Sequence, residues 1–305
     1  MTEAAQRRSG DRPSAGIERL VLETRGATIV GDRAQLPGAP VLIFSHGAGQ
    51  TRHSWRGAMA AVWSRGFEAV SLDLRGHGES SWPQALDYAL ERFAEDINTA
   101  VRVFAQGRPV GLIGASFGGM MSLLAAAMPG STVQAVAIVD IVPRVAQDGA
   151  SRVRLFMEAH ADGFASLEEA ALEIAAYRGE AVPRGTVGLE KNLQRSDNGR
   201  WYWHWDPAFL RSLPRGQERL DQLEAAAATY KGPLLLVHGL KSDVVGADGI
   251  AALRAIAPQL EYVDVAQAGH MIVSDRNDAF VAAVCPFMGR HLGLARDQQI
   301  TKACV

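Results

Sequence analysis

A short apolar run that leads through a glycine-rich turn into a small-residue helix constrains this chain most. Residues 110–113 are apolar, residues 114–119 have the sequence Gly-Ala-Ser-Phe-Gly-Gly, and mostly small or apolar residues continue to 126. Because a side chain at 114 or 118 would crowd a sharp bend, the glycines indicate a turn that exposes the Ser116 hydroxyl. Alone, the pattern also fits an ordinary turn with a capping serine. If Ser116 is a nucleophile, the chain must also supply a base, an acid that orients it and an oxyanion hole.

The composition is that of a globular protein with a large core: 305 residues, of which 48% are hydrophobic and 21% charged. A net charge of −2 gives no electrostatic case for a nucleic acid or a membrane surface as partner. The two cysteines, Cys285 and Cys304, are too few for a disulfide framework and lack metal-ligand spacing with a histidine. The sequence therefore predicts no metal and no cofactor.

Neither a signal peptide nor a membrane span is predicted. Residues 1–16 are polar, and no run of 18 or more apolar residues occurs in the chain. A cytoplasmic location follows by default. The sequence gives no indication of the oligomeric state.

Apolar strands alternate with helical segments along most of the chain. We predict strands at residues 17–23, 27–31, 40–45, 67–73, 110–113, 133–139, 233–237 and 260–265. This alternation predicts an α/β fold with a mostly parallel sheet covered by helices on both faces.

One stretch, residues 143–230, interrupts this alternation. It contains helical patterns, a capping-box sequence at Ser166–Glu169 and the aromatic cluster Trp201–Trp205, but no convincing strand. We predict a helical cap at 143–230, inserted into a core formed by 17–142 and 231–293. Residues 1–16 are expected to be a disordered leader and 294–305 a tail.

Ligands of open α/β sheets bind at the carboxyl ends of the strands, so reactive residues just past a strand end are candidates. Ser116, Asp243 and His270 all hold such positions, in the chain order of one known catalytic triad. His270 would remove the Ser116 proton, and Asp243 would orient the imidazole. Asp140 also follows a strand and is the alternative acid.

Taken together, these motifs resemble those of the α/β-hydrolase fold superfamily, over about residues 17–292. Residues 46–49 (His-Gly-Ala-Gly) match its oxyanion loop, 73–80 the segment after its fourth strand, and 114–118 its nucleophile elbow. Asp243 and the Gly269-His270 pair match its acid and histidine segments. The resemblance implies an eight-stranded-type sheet and an oxyanion hole made by the backbone N–H groups of Ala48 and Phe117.

The resemblance implies a serine hydrolase that cleaves a carboxylic ester, a lactone or a related small acyl substrate through an acyl-enzyme. The substrate is expected to be an apolar small molecule, with His53, Trp203 and Trp205 as candidate contacts. A carbon–carbon bond hydrolase or a cofactor-free perhydrolase could use the same triad. A ligand receptor of the same fold is the non-enzymatic alternative.

Overall fold

A computed structural model of the chain describes residues 16–160, 162–183, 185–214 and 216–294. The predicted leader and tail therefore lie outside the described residues, apart from Gly16 and Leu294. Among the described residues, no helix is long and apolar enough to cross a bilayer.

The core of the chain is an eight-stranded sheet. Its strands are β1 (Ile17–Thr24), β2 (Ala27–Ala34), β3 (Val41–Ser45), β4 (Glu68–Leu72), β5 (Val110–Ala115), β6 (Ala135–Val139), β9 (Leu234–Gly239) and β10 (Leu260–Val265). Their order in the sheet is β1-β2-β4-β3-β5-β6-β9-β10. The pairs β1–β2 and β2–β4 are antiparallel, and the remaining pairs are parallel. The predicted mostly parallel, eight-stranded sheet is thus confirmed.

Helices cover both faces of this sheet. Four of them pack on one face: α2 (Leu90–Ala105), α3 (Phe117–Ala127), α7 (Gly216–Thr229) and α8 (Ala247–Ile256). On the other face lie α1 (Arg56–Trp63) and α10 (Asn277–His291), and the short α9 (Ile272–Asp275) precedes α10.

The strand β3 shows why both faces need cover. Val41 and Ile43 belong to the core on one side of the sheet, whereas Leu42 and Phe44 belong to the core on the other. Side chains alternate across a strand, so a strand that is apolar at every position must be buried on both faces. The unbroken apolar runs of the sequence therefore correspond to central strands, and the carboxyl ends of these strands share one edge.

Residues 143–214, here called the inserted lobe, lie between β6 and α7. The lobe contains α4 (Gln147–Ala159), α5 (Leu167–Arg178), α6 (Pro207–Ser212), and a hairpin of β7 (Leu193–Arg195) and β8 (Trp201–Trp203). The helix α7, which the sequence placed in the cap, packs against α3 and α8 instead.

The hairpin corrects the expectation that this region has no strand. Leu193 pairs with Trp203, and the Ser196 N–H bonds to the Arg200 carbonyl across a turn that contains Asn198-Gly199. Aromatic residues favour strands, and this dipeptide favours a tight reversal of the chain. An alternating strand also accommodates aromatic residues that are too closely spaced for one helical face.

Candidate active site

Ser116 lies at the bend between β5 and α3, with a left-handed backbone conformation (φ 49°, ψ −121°). The peptide around it is held by hydrogen bonds from the Ser116 N–H to the Val139 carbonyl (2.9 Å) and from the Gly119 N–H to the Ser116 carbonyl (2.9 Å). A positive φ at a residue other than glycine costs about 1–3 kcal/mol and tends to occur at functional sites. The bend turns the hydroxyl toward the cavity described below, whose lining includes Ser116.

The glycines on either side of Ser116 are required by close backbone contacts. A Cβ at Gly114 would lie 2.3 Å from the Gly118 carbonyl oxygen, and a Cβ at Gly118 would lie 2.4 Å from the His46 carbonyl oxygen. Both distances are well inside van der Waals contact. The glycine spacing therefore lets α3 start directly against β3 and β5, with the serine at its N-terminus.

His270 connects Ser116 to a buried carboxylate. Its Nε2 lies 3.1 Å from Ser116 Oγ, and its Nδ1 lies 2.8 Å from Asp140 Oδ2. Asp140 directly follows β6 and is fully buried, while the His270 side chain keeps 11% of its surface exposed. A carboxylate on Nδ1 favours the tautomer that carries its proton there, which leaves Nε2 free to accept a proton from Ser116.

Asp243, the acid that the sequence favoured, does not contact His270. Its carboxylate is 38% exposed and forms an ion pair with Arg152 on α4 at 2.9 Å. The turn after β9 explains the difference: the Ser242 N–H bonds back to the Gly239 carbonyl, and Ser242, not Asp243, faces Asp140. The alternative that the sequence left open, Asp140, occupies the acid position.

Two further groups hold the Asp140 carboxylate. The Gly239 N–H donates to Oδ1 (2.9 Å), and the Ser242 hydroxyl donates to Oδ2 (2.5 Å). Bonds to the ionised form compensate for the loss of hydration at a buried carboxylate. One donor is the last residue of β9 and the other lies in the turn that follows, so the end of the neighbouring strand and its turn fix the orientation of Asp140.

The predicted oxyanion loop lies beside Ser116. A Cβ on Gly47 would be 3.4 Å from Ser116 Cβ, and the Gly47 N–H donates to Gln50 Oε1 (3.2 Å). Phe117 is the first residue of α3, so its N–H has no acceptor within the helix. Within the described residues, neither the Ala48 nor the Phe117 amide has a hydrogen-bond acceptor. The two amides are therefore free to bind an anionic oxygen.

A buried histidine braces this loop. His46 Nδ1 lies 2.8 Å from the Gly47 carbonyl, and its Nε2 accepts the Leu74 N–H (3.0 Å). Burial lowers the pKa of His46 to about 4, so the ring is neutral near pH 7 and can donate and accept at the same time. The fully buried Asp73 also braces the region, because it accepts N–H groups from both Arg52 and Glu79.

A cavity of about 310 Å³ opens above Ser116 and His270. All three candidate substrate contacts, His53, Trp203 and Trp205, lie in its lining. The sequence had not singled out several other polar lining residues: Gln50, Arg178, Lys191 and Asn192. Of these four residues, only Gln50 lies directly beside a sequence motif, the predicted oxyanion loop, so only Gln50 could have been identified as a lining residue from the sequence.

The described residues contain no group of three or more His, Cys, Asp or Glu side chains that could hold a metal ion.

Comparison with known proteins gives one family and several relatives. The family model for the alpha/beta hydrolase fold matches residues 40–276. The esterase Rv0045c of Mycobacterium tuberculosis is 28% identical over 258 residues, which cover 81% of this chain and 82% of the relative. A 2-(acetamidomethylene)succinate hydrolase of Mesorhizobium japonicum is 27% identical over 254 residues, which cover 82% and 88%.

Solved structures agree with this result. A crystal structure of esterase Rv0045c superposes with a TM-score of 0.70 at 27% identity, over 90% of this chain and 92% of that one. A crystal structure of E-2-(acetamidomethylene)succinate hydrolase gives a TM-score of 0.75 at 22% identity, over 89% and 99%. At this lower identity, the second likeness supports the fold alone.

Proposed function

The chain belongs to the alpha/beta hydrolase fold family and is an enzyme, and we propose that it is a serine hydrolase of carboxylic esters, lactones or related small acyl compounds. The observation that carries this proposal is the hydrogen-bonded series of Ser116, His270 and Asp140, of which Ser116 and His270 line the cavity. Named esterase relatives support the reaction class.

In the first half of the reaction, Ser116 Oγ attacks the substrate carbonyl carbon while its proton moves to His270 Nε2. The carbonyl oxygen becomes an anion and binds the N–H groups of Ala48 and Phe117, which lower the barrier by several kcal/mol. Asp140 stabilises the imidazolium that forms. His270 then protonates the leaving alcohol, the carbon–oxygen bond to that alcohol breaks, and the acyl group remains on Ser116.

In the second half, water attacks the acyl carbon and gives a proton to His270. The oxyanion forms again at the same two amides. When this intermediate collapses, His270 returns the proton to Ser116 Oγ, and the carboxylic acid leaves. The cycle needs no metal and no cofactor.

We also propose that the inserted lobe acts as a cap that determines substrate choice. His53 comes from the core, whereas Trp203 and Trp205 come from the lobe, so a substrate would lie between the two. We further propose that the protein is located in the cytoplasm, as the sequence led us to expect.

The test combines a fluorophosphonate probe with short p-nitrophenyl esters. The wild-type protein should be labelled at Ser116 and should turn the esters over, while Ser116→Ala should lose both properties. A protein whose Ser116 is not labelled, or whose turnover survives Ser116→Ala, would overturn the proposal. If Ser116 is labelled but no ester or lactone is cleaved, the carbon–carbon bond hydrolase and perhydrolase alternatives replace ester hydrolysis.

A further inference from the structure

Within the described part of the chain, the cavity is lined by basic side chains and by no acidic ones. Arg178 and Lys191 contribute positive charge, His53 and His270 contribute imidazoles, and no described lining residue is an aspartate or glutamate. This one-sided arrangement contrasts with the whole chain, which carries a net charge of −2. A cavity with positive walls attracts and retains anionic groups.

Of the two cations, Lys191 is the one whose backbone is anchored next to the predicted oxyanion loop. It ends a short 3-10 turn (Leu189–Lys191), and its side chain has no ion-pair partner among the described residues. Its backbone is fixed to the core, because the Thr51 hydroxyl donates to the Lys191 carbonyl at 3.1 Å. Thr51 directly follows the Gly47–Gln50 loop. The backbone of Lys191 is thus tethered beside the Gly47–Gln50 loop, and the exposed residue lines the cavity.

His53 lines the same cavity but does not supply its positive charge. Burial, and after it the positive charge of Arg52, lowers the pKa of His53, although the Asp32 carboxylate, 3.7 Å from His53 Nδ1, acts in the opposite direction. His53 is therefore neutral near pH 7, and Lys191 and Arg178 are the cations of the lining. Arg178, at the end of α5, lies 3.9 Å from the Glu180 carboxylate.

The rest of the lining is mainly apolar and includes Val153, Phe156 and Ile174. We propose that the preferred acyl group is a short aliphatic chain that ends in a carboxylate, so that the substrates are monoesters of small dicarboxylic acids. The chain would lie on the apolar wall, and the terminal carboxylate would pair with Lys191, with Arg178 as the second cation. This inference rests on the ester hydrolase activity proposed above.

The test compares two esters that differ only in the terminal charge: monoethyl adipate and ethyl hexanoate. Hydrolysis is followed by pH-stat titration of the carboxylic acid formed, because ethyl esters release no coloured product; their slow spontaneous hydrolysis keeps the background low. We expect the wild-type kcat/KM to be about tenfold higher for monoethyl adipate than for ethyl hexanoate, because one partly desolvated ion pair favours the charged ester by about this factor. This ratio should fall as salt is added, because ions screen the attraction.

Variants at Lys191 then assign the effect. Lys191→Met should bring the ratio close to one, Lys191→Arg should keep it, and Lys191→Glu should bring it below one. Because Thr51 binds the backbone carbonyl of Lys191, these substitutions leave that anchor in place. The ratio of the two esters cancels any general loss of activity. Lys231→Met, an exposed lysine just before β9, is the matched control and should keep the wild-type ratio.

The outcomes separate this inference from the proposed function. Hydrolysis of both esters with a ratio near one in the wild type, or a ratio that Lys191→Met does not change, overturns the carboxylate site and leaves the hydrolase proposal standing. If neither ester is hydrolysed, calorimetry with adipate and hexanoate decides. Adipate that binds more tightly than hexanoate, and loses this advantage in Lys191→Met, supports the site; equal binding of the two acids refutes it.

Discussion

The substitution Asp140→Asn tests the site most directly, because the hydrogen bonds around Asp140 predict how it fails. The Gly239 backbone N–H can only donate, so it keeps an oxygen, here the amide oxygen, at the Oδ1 position. The amide nitrogen must then occupy the Oδ2 position, where it faces both the Ser242 hydroxyl and His270 Nδ1. Ser242 can rotate its hydroxyl and accept, but His270 Nδ1 must give up its proton in order to accept.

This exchange places the imidazole proton on Nε2, the atom that faces Ser116 at 3.1 Å. An Nε2 that carries a proton cannot take another from Ser116, so general base catalysis stops while the shape of the site is preserved. Loss of the correct tautomer in a triad costs about 10⁴ in kcat, which corresponds to about 5.5 kcal/mol of barrier. We expect a loss of that order for Asp140→Asn.

The matched control is Asp243→Asn, because Asp243 also follows a strand end and is the acid that the sequence favoured. Its exposed ion pair with Arg152 is worth up to about 1 kcal/mol, so kcat should change less than about fivefold. Both variants are assayed with a p-nitrophenyl ester, and thermal unfolding verifies that each is folded. Asp140 is not the acid that orients His270 if Asp140→Asn stays within tenfold of wild type, or if Asp243→Asn loses more than a hundredfold.

Three further predictions concern the support of the site. Ser242→Ala removes one hydrogen bond from the ionised Asp140 and should lower kcat about tenfold; an unchanged kcat would show that Ser242 does not position the acid. A Cβ at Gly149 would lie 2.2 Å from the Asp243 carbonyl oxygen, so Gly149→Ala should displace α4, lower the melting temperature and raise KM for esters. His46 has a pKa lowered by burial from 6.5 to about 4, so the unfolded state binds more protons between these values and stability falls as the pH drops through that range. The loss from this group approaches about 3 kcal/mol; urea unfolding at several pH values should show it, and a His46→Asn variant with an equally steep pH dependence would contradict the assignment.

Much of the fold could be predicted because its signals are local. A short apolar run such as residues 41–44, in a chain where such runs alternate with helical segments, indicates a central strand, and the bend at Ser116 follows from glycine spacing alone. The position of His270 just past a strand end was likewise visible in the sequence. These features depend on neighbours along the chain and need no knowledge of the tertiary structure.

The acid could not be chosen in this way. Asp140 and Asp243 each follow a parallel strand, and β6 and β9 are neighbours in the sheet. Which carboxylate reaches His270 depends on the turn at residues 239–242, whose backbone directs Ser242 inward and leaves Asp243 on the outside. A shift of one residue in a turn reverses the direction of a side chain. The pattern of residue types along the chain does not show which of two adjacent residues in the turn points inward.

The placement of the acid after β6 has a mechanical consequence. Asp140 lies directly before the inserted lobe, and the loop after β9 serves both: Ser242 bonds to the Asp140 carboxylate, and the next residue, Asp243, pairs with Arg152 on α4.

The start of the lobe is also fixed to this loop, because the Ala146 N–H donates to the Val244 carbonyl at 2.8 Å. A shift of α4 would therefore move the loop that orients the Asp140 carboxylate. In such an arrangement, Arg152→Ala, which breaks the same ion pair as Asp243→Asn, should raise KM and also reduce kcat by a few fold, within the limit of about fivefold given above. A lobe that only shaped the pocket would affect KM alone. Steady-state kinetics of Arg152→Ala with one ester distinguishes the two cases, and an unchanged kcat would show that the lobe and the triad are mechanically independent.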